Sequence, residues 1–179
     1  MSSAPQPWFA FSLDLAPATA RERLPSLPPI PALPDGELAE ALDVEVVYDV
    51  DSPPWGGRVA RLVDAPGKSL PGLLRRLPTG ATWDAVVRLE AALAGATATR
   101  SVKVRTATGA TLVALAFTPP ARTGTGPGPI SEAFLVTLAL AAERAGLSPD
   151  HVERLQAEAR IVQTVQQARA AVPPQGRKP

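Results

Sequence analysis

The stretch Arg100-Ser-Val-Lys-Val-Arg-Thr-Ala-Thr-Gly-Ala-Thr-Leu-Val-Ala-Leu-Ala-Phe-Thr118 constrains this chain more than any other segment. Val102, Val104 and Thr106 alternate with Ser101, Lys103 and Arg105, the period of two expected of a strand with one buried face. Thr108-Gly109 supplies the positive φ that a tight turn requires, and Leu112–Phe117 returns as a nearly continuous apolar strand. Just upstream, Trp83-Asp-Ala-Val-Val-Arg-Leu-Glu-Ala-Ala-Leu-Ala-Gly95 reads as a helix stopped by glycine. A helix feeding a long antiparallel hairpin places the chain in the α+β class.

Composition removes several functions. The chain has 179 residues and a net charge of +1, so it has no global field to hold nucleic acid or an anionic membrane. With no cysteine, disulfides, thiolate nucleophiles, iron–sulfur clusters and cysteine zinc sites are all excluded. Met1–Pro7 carries no basic leader, and the apolar run around Ala139–Ala142 is far too short to span a bilayer. A cytoplasmic protein is the expectation.

The segments fall into four parts. Residues 1–34 read as an N-terminal strand arm, with Phe9, Phe11, Leu13 and Leu15 on one face, a weak helical turn over 18–24, and a stiff proline-rich connector over 25–34. That connector serves as a spacer, with a ligand for an aromatic-lined groove as the sharper alternative. Residues 35–120 form an α+β domain: a helix from Asp35 to Leu42, strands at 44–50 and 58–63, one or two helical turns at 70–77, the connecting helix and the hairpin. Residues 130–172 form a helical hairpin, capped by Ser131 and then by Ser148 with Pro149 behind it. Residues 119–129 are a Gly/Pro/Thr linker and 173–179 a disordered tail.

Read in order, "LAEALDVEVVYDVD", "GRVARLV", "GKSLPGLLRRLP", "WDAVVRLEAAL" and "TRSVKVRTATGATLVALAFTPPA" resemble the helix–strand–strand–helix–helix–hairpin order of a PAS domain, over residues 36–118. The resemblance implies a PAS-like antiparallel sheet with a connecting helix, followed by the C-terminal helical pair. Only Asp64–Ser69 separates the second strand from the short helical segment, where PAS domains carry further pocket-walling helices. The implied function is therefore protein interaction rather than small-molecule sensing.

Catalytic chemistry is hard to find in the sequence. The single histidine, His151, falls at the third position of the last helix, outside the PAS-like segment, so no His-paired serine and no core haem ligand is available. Gly124-Thr-Gly-Pro-Gly128 lacks the Lys-Ser/Thr ending of a phosphate loop. Glu45, Asp49 and Asp51 share a strand face and pair most simply with Lys103 and Arg105 on neighbouring strands. The basic residues of 58–76 face an acidic 35–51, which either steers a partner or matches charge internally. The expectation is a regulatory protein-interaction module, not an enzyme, with no cofactor and no metal. A structural or assembly subunit of a larger complex is the alternative. The partners are a second copy of the chain and a further protein, with no nucleic acid and no membrane span. The contact residues are Phe9, Phe11, Leu13, Trp55, Phe134, Leu138, Leu155 and Val162.

Overall fold

The computed structural model describes residues 5–77, 80–121 and 128–171. Five strands, β1 (Gln6–Ala10), β2 (Glu37–Ser52), β3 (Gly57–Leu77), β4 (Ala98–Thr106) and β5 (Thr111–Thr118), close into a barrel in the order β1-β3-β2-β4-β5. All neighbours are antiparallel except β1 and β5, which meet in parallel at Trp8 and Leu115. Among the described residues three α-helices lie outside the barrel: α1 (Ala81–Ala94) between β3 and β4, then α2 (Glu132–Arg144) and α3 (Pro149–Ala170) after it.

The hairpin and the three helices form where local chemistry directs them. Gly109 takes φ +84° in the turn between β4 and β5. Gly95 ends α1 in the left-handed conformation, with the Ala96 N–H reaching back to the Glu90 carbonyl. Ser131 and Ser148 each accept a backbone N–H three residues ahead, from Phe134 and His151.

The PAS-like sheet is corrected by this topology. PAS domains have an open antiparallel sheet, whereas here the N-terminal strand closes the ring by joining β3 on one edge and β5 on the other. The helix expected over 35–42 is the first part of β2, and the helical turns expected over 70–77 are the last part of β3. Both segments are rich in Leu and Ala or Arg, good helix formers, but each supplies the ladder partner of the other: Leu38 pairs with Leu73, Ala39 with Gly72 and Ala41 with Leu70. Burial in β2 then follows a period of two, with Ala39 and Ala41 inside.

Two apolar clusters result. Inside the barrel, Phe9, Phe11, Leu62, Leu74, Val102 and Val104 pack against the alanines of β2 and β5. Outside it, Trp8, Leu13, Leu15 and Phe117 join Val86, Leu89 and Leu93 of α1 and Phe134 and Leu138 of α2. Fully burying each of these large side chains stabilises the fold by about 1.5–3 kcal/mol.

The acidic face of β2 pairs with β3 rather than with β4. Asp49 binds Arg61, Glu45 binds Lys68 and Asp51 binds Arg58, while Arg105 of β4 takes Glu40. The long β2–β3 hairpin brings these segments face to face, so the segregated charge is at least partly matched within the chain. The expected tail, 173–179, and most of the 119–129 linker lie outside the described residues.

Candidate active site

At the end of β1 the chain turns sharply through Phe11-Ser-Leu-Asp-Leu15, and residues 13–15 form a single 3-10 turn. Asp14 sits in that turn, 1% exposed, with Oδ1 accepting the backbone N–H groups of Ser12 (2.7 Å) and Phe11 (3.2 Å). Arg75 of β3, also buried, clamps the turn from outside. One guanidinium nitrogen donates to the Asp14 carbonyl and the other to the Leu15 carbonyl, both at 2.9 Å, and the group lies 5.2 Å from the Trp8 ring centre.

Facing Asp14 is Glu90 of α1, 4% exposed. The helix presents Val86, Leu89 and Leu93 to the core, and Glu90, one turn after Val86, falls on the same stripe. The two buried carboxyls act on each other strongly enough that the pair keeps one proton.

Burial pushes both carboxyls up. For Asp14 the backbone N–H of Ser12 and the Arg75 charge pull the other way, whereas for Glu90 the Asp14 charge adds to the upward push. The proton therefore belongs on Glu90. One shared proton leaves the pair with a single negative charge, which Arg75 balances, so the buried cluster is neutral overall.

A small cavity of about 10 Å³, room for about one water molecule, lies against this pair. Ser12, Asp14 and Glu90 line it, together with Phe11, Leu13 and Pro119. Ser12 Oγ, Asp14 Oδ2 and Glu90 Oε1 are each buried without a hydrogen-bond partner among the described residues. Three such polar atoms around one small cavity can accept a proton, donate a proton and hold an oxygen.

Of the eight residues expected at a protein contact, seven lie inside the fold. Phe9, Phe11 and Leu13 are buried around the barrel end, and Phe134, Leu138 and Leu155 in the packing of α2 and α3. Trp55 is buried in the β2–β3 turn, its indole N–H donating to the Leu93 carbonyl at 2.7 Å. Val162 is half-buried on α3. Sequence reading missed Asp14, Arg75 and Glu90. The available signal was a glutamate on the apolar stripe of α1.

Among the described residues, no group of three or more His, Asp or Glu side chains gathers to hold a metal ion. No helix among them is long and apolar enough to cross a membrane.

The closed barrel with helices outside is a fold found in other solved structures. A structure described as γ-glutamyl cyclotransferase has 18% identity over 87% of this chain and 88% of its own, with a TM-score of 0.64. A yeast γ-glutamyl cyclotransferase specific to glutathione has 12% identity over 90% and 97%, at 0.58. An uncharacterized human protein has 18% identity over 87% and 88%, at 0.65. No protein-family model and no curated protein matches the sequence.

At these identities the likeness is one of fold. It overturns the PAS-like regulatory module and the assembly subunit, since both readings were built on a different architecture. The exclusion of enzymatic activity is corrected with them, because enzymes carry this fold. Serine–histidine pairs, metal clusters and surface carboxylates leave marks in a sequence, whereas a carboxyl pair that only folding assembles does not.

Proposed function

We propose that this chain is an enzyme of the γ-glutamyl cyclotransferase type, with Asp14 and Glu90 moving the protons. A γ-glutamyl amide cyclises when its own α-amine attacks the γ-carbonyl. The C–N bond to the leaving amine then breaks, and a five-membered lactam, 5-oxoproline, is released. The attacking amine loses a proton and the leaving nitrogen gains one. A carboxyl pair holding a single proton fits both needs, with ionised Asp14 accepting and protonated Glu90 donating. The Ser12 hydroxyl, which lines the same cavity, donates to the carbonyl oxygen as negative charge develops there.

The observation that carries this reading is the set of three buried polar atoms around the one-water cavity, on a fold shared with cyclotransferases. The reacting carbonyl takes that small space, and the wall formed by Phe11, Leu13 and Pro119 opens to admit the rest of the substrate. The test is to incubate the purified chain with γ-glutamyl dipeptides and with glutathione and to measure 5-oxoproline by mass spectrometry. Release is expected, falling at least about 100-fold in Glu90→Gln. A folded protein that releases no 5-oxoproline above the buffer blank from any of these substrates would overturn the reading.

A further inference from the structure

A second cavity, of about 360 Å³, opens between the β2–β3 hairpin and the start of α3. That volume lies in the range of small-molecule sites, and its floor is apolar, made by Phe11, Val46, Leu70 and Leu155. Phe11 also walls the carboxyl cavity, so the two spaces lie side by side, but the polar groups of this cleft are a separate set.

Six charged or titratable groups face the cleft: Glu45, Tyr48, Lys68, His151, Arg154 and Glu158. Lys68 and Glu45 neutralise each other across the hairpin. Arg154 and Glu158 stand one turn apart on α3 with no ion pair between them within 4.0 Å. The Arg-before-Glu order is the weaker one for pairing at this spacing. Arg154 instead donates to His151 Nδ1 at 3.1 Å, while burial and the nearby Glu158 charge hold the proton on the Tyr48 hydroxyl. With Nδ1 accepting, a neutral His151 carries its proton on Nε2 as a further donor. Burial and the neighbouring arginine hold His151 below its ordinary value, toward that neutral form.

The rim thus offers a cation with an adjacent N–H donor, and one helical turn away an anion, above an apolar floor. We propose that this cleft binds a free α-amino acid with an apolar side chain, its carboxylate on Arg154 and His151 and its ammonium on Glu158. A simple carboxylate leaves Glu158 without a new partner and a simple amine leaves Arg154 without one, so only the zwitterion uses both ends. This site does not depend on the activity proposed above, and its test reads binding rather than turnover.

His151 is the chain's only histidine, so its imidazole C–H resonances report on the cleft without ambiguity. Titration with L-leucine is expected to shift them saturably, while 4-methylpentanoate and isoamylamine bind at least roughly tenfold more weakly. By calorimetry, Arg154→Leu and Glu158→Gln are each expected to weaken leucine binding by roughly tenfold or more. Both positions are exposed, so these variants keep the fold. Absence of any saturable shift with millimolar leucine would overturn the site. Equal affinity for leucine and 4-methylpentanoate, or undiminished binding in both variants, would overturn the zwitterion assignment.

Discussion

Glu90 of the first helix and Asp14 in the turn after the first strand line one small cavity, and both side chains are buried. The Arg75 guanidinium beside them carries the balancing charge, although its own hydrogen bonds go to the Asp14 and Leu15 carbonyls. A buried pair of this kind ties stability to pH as well as offering proton transfer.

The sign of that pH dependence follows from Glu90. Its carboxyl is held well above the ordinary glutamate value of 4.5, so the folded chain keeps a proton that the unfolded chain has released. Stability is full below pH 4.5 as far as this group is concerned and falls as pH rises from there toward the raised folded value. Glu90→Gln removes the titrating group while keeping an N–H donor toward Asp14. Thermal melts from pH 5 to 8 should show the wild-type Tm falling relative to that of Glu90→Gln. Parallel pH profiles for the two proteins would show that no proton is held there.

At Gly72 the backbone of β3 passes tightly against the end of β1. A Cβ added there would lie 2.3 Å from the Ala10 carbonyl oxygen and 2.5 Å from Phe9 Cζ, so the backbone of β1 would have to move. Gly72→Ala should destabilise the fold by about 1–3 kcal/mol or more, as overpacking does. Val113→Ala, at a position 62% exposed, should stay within about 0.5 kcal/mol. Urea denaturation of both variants checks this, and a Gly72→Ala midpoint equal to wild type would contradict the close approach.

Trp55 joins three elements. Its indole N–H reaches the Leu93 carbonyl at the end of α1, its ring meets Phe134 of α2 edge-on at 5.5 Å, and its own carbonyl accepts from the Ser131 cap at 2.6 Å. Trp55→Phe removes the indole donor and leaves a buried carbonyl unpaired, a cost of about 1–3 kcal/mol. The expected outcome is a lower Tm. An unchanged Tm would show that the carbonyl finds another partner.

The sequence was legible where structure is settled by near neighbours. Gly95 and Gly109 stop a helix and turn a hairpin, Ser131 and Ser148 cap helices, and the alternation from Val102 to Thr106 makes a strand wherever that hairpin is placed. These signals need no knowledge of the rest of the chain.

Tertiary structure decided what depends on distant partners. Leu38–Leu42 and Leu70–Leu77 carry helix-forming residues, yet each is a strand because the other lies beside it, and a ladder between remote segments leaves no mark on local composition. Closure of the barrel likewise rests on β1 finding β3 and β5 at once. The candidate site depends on the same closure. Asp14 reads in isolation as a polar residue in an alternating run and Glu90 as one more acid on a helix. Only when the turn at residues 13–15 packs against α1 do the two carboxyls lose their water and keep one proton between them, because desolvation is a property of the assembled core and not of either segment.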